Sequence, residues 1–256
     1  NYATATNGAI NLHMQGSNSN TDITLNAGSN STFYGFASTK STGFQLSVAA
    51  AAGASANFVN RGNTFQANGN GTLRFGDNIN IPVLIGGGGG NFDLGSSTSV
   101  PRLWIDGATI SDGGLGGALV PYGTIRITSG SLTCQNGQSA IVIRESGALE
   151  ILGGTVTAGI IRTSVTAVTH RGSFEMTAGT LNLLGNGGSE QTYYSIFSLP
   201  YPENVFKMSG GTITITRAST GGITPNGGFM VACSANNDEV SGGIINFNTT
   251  GNIHLD

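Results

Sequence analysis

Charge is scarce in this chain. Only 9% of its 256 residues are charged, and ten Lys or Arg stand against 13 Asp or Glu for a formal net charge of −3. A faintly acidic chain has no basic footprint, which argues against a nucleic-acid partner. Long apolar runs are missing as well: no stretch reaches the roughly 18 residues that a membrane-spanning helix needs, so no membrane insertion is expected. Cysteine is limited to Cys134 and Cys233, too few for a disulfide framework, and this leaves the compartment open. The three histidines, His13, His170 and His254, are scattered and form no metal cluster with neighbouring Asp, Glu or Cys. No Gly-x-Ser-x-Gly elbow appears. The five-glycine run Gly86–Gly90 lacks the Lys-Ser/Thr and following helix of a phosphate-cradling loop, and reads as a turn. No catalytic residue, cofactor or metal is expected.

Glycine is abundant, with 42 residues, and Ser, Thr and Asn fill much of the remainder. Ile, Leu, Val and Phe are nevertheless placed regularly enough to build a core, which excludes disorder. The clearest case is Phe206-Lys207-Met208-Ser209-Gly210-Gly211-Thr212-Ile213-Thr214-Ile215-Thr216. Apolar and polar residues alternate on both sides of a Gly pair, as expected of two short half-buried strands joined by a sharp bend. The same frame fits with Thr109, Ser131, Thr155, Thr180 and Ile244 in the place of Thr212, at gaps of 22, 24, 25, 32 and 32 residues.

Columns emerge from this alignment. Six residues before the reference stand Leu103, Ile125, Leu149, Phe174, Phe206 and the one exception, Asp238. Four before it stand Ile105, Ile127, Ile151, Met176, Met208 and Val240; one after it stand Ile110, Leu132, Val156, Leu181, Ile213 and Ile245. Three after it come Asp112, Cys134, Ala158, Leu183, Ile215 and Phe247. Side chains two apart on a strand share a face, so these columns are assigned to the interior. Earlier segments such as Ala140–Ile143, Ile160-Ile161, Ser195–Phe197 and Phe229–Val231 supply another strand per repeat.

The expected fold is therefore all-β: a right-handed parallel β-helix, a solenoid of three strands per coil and 22–32 residues per coil. Residues 1–256 read as one domain, with irregular coils over 1–100 and regular ones over 101–256. The absence of a capping helix points to a segment or processed form of a longer protein with flanking domains. In the first hundred residues Ile10, Leu12 and Met14 alternate, as do Ile23 and Leu25, and Phe44, Leu46 and Val48. Leu73–Ile79 reads as the repeat with one residue missing at the bend. In this frame Cys134 and Cys233 lie four coils apart, about 19 Å at about 4.8 Å per strand. That exceeds the reach of a disulfide, so both are expected as free, buried thiols.

Chemistry has to sit on the outward columns. Five before the reference stand Trp104, Arg126, Glu150, Glu175, Lys207 and Glu239, a ladder of mostly alternating charge. Its bland reading is register and solubility. Its sharper readings are a Glu150–Glu175 acid–base dyad and a Trp104 ring that either stacks on Arg126 or offers a sugar platform. A second ladder carries hydroxyls: Thr109 and Ser111, Ser131 and Thr133, Thr155 and Thr157, Thr180 and Asn182, Thr212 and Thr214, then Ile244 and Asn246. Rows of Thr on a flat β face resemble the ice-binding surface of some antifreeze proteins. Asp93, Asp106 and Asp112 form the only local acidic group, and Tyr193, Tyr194 and Tyr201 beside Pro200 and Pro202 offer aromatic rings for a saccharide.

The repeat Gly210-Gly211-Thr212-Ile213-Thr214-Ile215, with Phe174-Glu175-Met176-Thr177-Ala178-Gly179-Thr180-Leu181-Asn182-Leu183 before it, resembles the degenerate repeats of right-handed β-helix regions. Such regions belong to large secreted bacterial surface proteins, including autotransporter passengers and adhesins exported by the type 9 route. The resemblance covers Pro101–Phe247 well and the first hundred residues loosely. It implies an extracellular, non-catalytic structural or adhesive segment whose partners are surface glycans or other surface and secretion proteins. The alternatives are a carbohydrate-binding or polysaccharide-degrading protein and an ice-binding one.

Overall fold

The computed structural model describes residues 9–14, 22–27, 32–38, 45–50, 56–59, 64–67, 72–77, 79–83, 91–98, 100–112, 118–134, 141–163, 171–185, 196–216, 229–234 and 236–248, with side chains from 72 onward except 82 and 83. Every regular element among them is a strand. First come β1 (Ala9–Met14), β2 (Asp22–Ala27), β3 (Thr32–Ser38), β4 (Gln45–Ala50), β5 (Ala56–Val59) and β6 (Thr64–Ala67). Then follow β7 (Thr72–Phe75), β8 (Ile79–Val83), β9 (Phe92–Leu94), β10 (Arg102–Ser111), β11 (Leu119–Pro121) and β12 (Thr124–Cys134). Next are β13 (Ile141–Ile143), β14 (Ala148–Ile151), β15 (Thr155–Ala158), β16 (Ile161–Thr163), β17 (Ser173–Met176) and β18 (Thr180–Leu183). The last are β19 (Phe197–Leu199), β20 (Val205–Ile215), β21 (Phe229–Val231) and β22 (Asp238–Phe247).

These strands collect in two separate parallel sheets. One has nine strands in the order β1-β3-β6-β9-β11-β13-β16-β19-β21, and the other takes the remaining 13. The expected β-helix of three strands per coil is corrected by this finding. The two segments flanking the Gly pair belong to one and the same sheet, and in β10, β12, β20 and β22 they are a single strand. The Gly pair makes a bulge, with the register shifting between Ile105 and Asp106 and again before Thr109, while pairing resumes on the far side. Gly179 shows why glycine is needed there: its φ is +81°, and a Cβ would stand 2.6 Å from the Gly154 carbonyl oxygen.

Within the 13-stranded sheet the pairings follow the sequence alignment. Thr109 pairs Ser131, Ser131 pairs Thr155, Thr155 pairs Thr180, Thr180 pairs Thr212 and Thr212 pairs Ile244. The segment Leu73–Ile79 departs from expectation. Leu73 pairs Leu103 but Asn80 pairs Thr109, so this repeat holds one residue more at the bend than its neighbour, not one fewer. Ile79 and Ile81 both turn inward as a result. In the first third, β1 and β2 contain the expected alternations and β4 contains Leu46 and Val48; Phe44 lies outside the described residues.

The inward columns of both sheets meet in one core. Phe174 of the larger sheet meets Phe197 of the smaller edge-on at 5.0 Å, while Phe206 stacks on Phe174 at 5.5 Å and Phe229 on Phe197 at 4.9 Å. Each such ring contributes about 1.5–3 kcal/mol by burial, and favourable edge and stacked geometry adds to that. Inside this core Asn204 donates from Nδ2 to Thr163 Oγ1 at 3.2 Å, which satisfies two buried polar groups.

The last repeat is different. Among the described residues β22 pairs only with β20, and its inward columns are only partly covered: Asp238 is exposed and Val240 is 65% exposed, while Ile245 and Phe247 are half-buried against the core. Asp238 stands where every other repeat carries an aliphatic or aromatic residue.

Candidate functional site: the outer face and the corner turns

The outer face of the 13-stranded sheet carries the charged ladder in the expected order. Arg74 pairs Trp104, followed by Arg126, Glu150, Glu175, Lys207 and Glu239. Arg126 Nε donates to Glu150 Oε2 at 2.5 Å. Lys207 Nζ reaches Glu239 Oε2 at 3.8 Å rather than Glu175, and both groups are well exposed. Such a pair contributes at most about 1 kcal/mol. Glu150 and Glu175 are register neighbours, yet Glu150 is held by Arg126, so the two do not share one partner.

Trp104 is engaged differently from expectation. The cation over its ring is Arg74, 4.9 Å from the centroid, and its indole Nε1 donates to Thr128 Oγ1 at 2.8 Å. Arg74 also donates from Nε to Asp106 Oδ2 at 2.9 Å and forms an ion pair with it through the terminal nitrogen. Thr128 Oγ1 donates to Asp106 Oδ1 at 2.7 Å, and Ser129 Oγ lies 3.4 Å from the same oxygen. One ring face and the indole N–H are thus committed internally, which removes much of what a sugar platform requires. Partial burial alone would raise the Asp106 pKa. Hydrogen bonds from Thr128 and Arg74, the Arg74 charge and Ser129 outweigh it, and the carboxyl sits below its ordinary value.

The three local aspartates are not brought together. Asp93 is on β9 of the smaller sheet, Asp106 is on the outer face at the bulge, and Asp112 lies inside at 3% exposure. Burial raises the Asp93 pKa, opposed by the Arg144 charge. Among the described residues no group of three His, Cys, Asp or Glu could hold a metal ion.

The hydroxyl ladder is in register, and none of Thr109, Ser131, Thr155, Thr157, Thr180, Thr212 or Thr214 is buried. Charge is absent from both of its columns from Thr109 to Asn246. Cys134 and Cys233 are both free, as expected, and Cys134 is fully buried. Cys233 is only half-buried, because it lies in the last repeat. Burial above all, then the nearby Asp112 carboxylate, pushes the Cys134 thiol far up. Burial and Asp238, against a backbone hydrogen bond from Phe206, push Cys233 up to about 11.

Tyr193 and Tyr194 lie outside the described residues, and Tyr201 is half-buried in the corner turn that leads into β20. A cleft of about 460 Å³ opens at these corners, lined by Arg171, Pro202, Glu203, Val205, Ser234 and Asn237. Its walls come from the turns before β17, β20 and β22. The turns are tied together: Ser234 N and Asn237 Nδ2 both donate to the Pro202 carbonyl at 3.0 Å, and Val205 N donates to Gly172 O at 3.1 Å. Pro202 belongs to the tyrosine- and proline-containing stretch of the sequence that offers rings for a saccharide. Arg171, Glu203, Ser234 and Asn237 are ordinary polar turn residues and Val205 opens β20, and only the pairing of three neighbouring repeats gathers them.

No family model, characterised protein or solved structure matches the chain.

Proposed function

We propose that the chain is a non-catalytic structural or adhesive segment of an extracellular surface protein, presenting its outer face and corner turns to surface glycans or neighbouring surface proteins. The observation that carries this reading is the placement of its carboxylates. Acid–base chemistry on a glycosidic bond needs two carboxyl groups about 5–9.5 Å apart on either side of the substrate, in contrasting protonation states. Here Asp106 is ion-paired with Arg74 and accepts a hydrogen bond from Thr128, Glu150 is bound by Arg126, and Asp112 faces the core. Each of these has a structural partner or an inward position rather than a place in a cleft. The motif resemblance of Phe174–Leu183 and Phe206–Thr216 to repeat regions of secreted bacterial surface proteins supports the same compartment.

The test is a survey of soluble polysaccharides for cleavage, run on the native chain and on Asp106→Ala, Asp112→Ala, Glu150→Ala and Glu175→Ala. No product in any sample is the expected outcome. Cleavage by the native chain that one of these variants loses would sink the reading and promote a polysaccharide-degrading enzyme. A second reading, ice binding, is favoured by the in-register, uncharged double row of hydroxyls alone. Its measurement is thermal hysteresis: a clear effect in the native chain that Thr155→Lys abolishes would promote it.

A further inference from the structure

We infer that the corner cleft lined by Arg171, Pro202, Glu203, Val205, Ser234 and Asn237 is a binding site for a saccharide chain. This rests on the adhesive reading and names its ligand. The cleft volume, about 460 Å³, falls within the range of about 300–1,000 Å³ in which small-molecule sites occur. Its walls are held by backbone and amide hydrogen bonds across the turns, which fix the turn backbones and the Asn237 amide. Asn204, next to Glu203, is anchored in the core by Thr163.

The chemistry of the lining selects the ligand. Arg171 only donates hydrogen bonds, Glu203 only accepts them, and Ser234 and the Asn237 amide do both. Among the described residues Arg171 and Glu203 form no ion pair, although they line the same cleft. A ligand that satisfies this set must offer donors and acceptors close together, as vicinal hydroxyls do. The Pro202 ring and Val205 give the C–H face of a sugar ring an apolar surface. A phosphate chain would meet the Glu203 carboxylate. A peptide anchor wants a deep apolar or aromatic pocket, and the lining contains neither. Walls from three successive repeats make the cleft elongated along the stacking direction, over about 10 Å at about 4.8 Å per strand. That suits a short stretch of chain.

The experiment is calorimetric titration of the full chain with neutral and uronic-acid oligosaccharides, with glycine and Gly-Gly as zwitterionic controls. The expected result is binding of at least one oligosaccharide class. Arg171→Ala and Glu203→Gln should each weaken it about tenfold or more, the loss expected for a hydrogen bond to a charged group, while Lys207→Ala leaves it unchanged. Both changed residues are exposed, and an unshifted melting temperature shows that the variants are folded. No binding of any oligosaccharide, binding that neither variant weakens, or binding of the zwitterions alone would overturn the inference. Adhesion to glycan-bearing surfaces retained by the double variant overturns this site while leaving the adhesive reading standing; cleavage products sink that reading instead.

Discussion

The guanidinium of Arg74 lies 4.9 Å from the centroid of the Trp104 ring and pairs with Asp106 on the next strand of the same face. One cation thus joins two repeats across the bulge that carries an extra residue. Removing it should be felt there first. Arg74→Ala should lower stability by about 1–3 kcal/mol, since it strips a charge-assisted hydrogen bond and a cation–π contact together. Urea unfolding followed by Trp104 fluorescence reads both the loss and the altered ring environment.

Asp106 gives that network a pH signature. Its pKa is lowered from 3.8 in the folded chain. Its contribution to stability is therefore present above about pH 4 and is lost as pH falls through the lower folded value. The melting-temperature difference between the native chain and Asp106→Asn should shrink steadily below about pH 4. A difference that is constant from pH 7 to pH 2 would mean the carboxylate is not held as described.

Inward and outward neighbours should respond in opposite ways to the same change. Met208 is 1% exposed, whereas Lys207 beside it faces solvent. Met208→Asp buries an unpaired charge between Met176 and Val240, and should cost several kcal/mol or prevent folding. Lys207→Asp should cost no more than about 1 kcal/mol. Similar melting temperatures for the two variants would contradict the assignment of faces.

The thiols should be slow and separate. Cys134 should resist alkylation in the native chain and react on unfolding, since buried thiols are inert. Cys233, half-buried with a pKa of about 11, should react slowly at pH 8 and faster as pH approaches that value. Against an unfolded value of 9.0, its raised pKa contributes stability that is fully present below pH 9 and lost as pH rises through about 11. An intramolecular Cys134–Cys233 disulfide found by mass spectrometry would refute the pairing register.

Much of the larger sheet was legible because alternation and spacing carry the same information as parallel pairing. Leu103, Ile125, Leu149, Phe174 and Phe206 align in sequence and pair in space. The number of sheets was not legible. A Gly pair between alternating segments reads equally as a corner and as a bulge, and only the retained pairing on both sides decides for the bulge. β3 and β6 are not legible in the sequence because Thr32–Ser38 and Thr64–Ala67 lack clean alternation. The Arg74 partner of Trp104 was recoverable, since Leu73-Arg74-Phe75 matches Leu103-Trp104-Ile105 position by position. The corner cleft was not, because its lining is contributed by turns more than 60 residues apart, from Arg171 to Asn237.

The most direct test of the central claim measures binding and turnover on one sample: immobilised and soluble polysaccharides are incubated with the native chain, and retained protein and released reducing ends are both quantified. The account predicts retention on at least one glycan with no product, and loss of retention in the Arg171→Ala, Glu203→Gln double variant. Released product that disappears in Glu150→Ala or Asp106→Ala would contradict it.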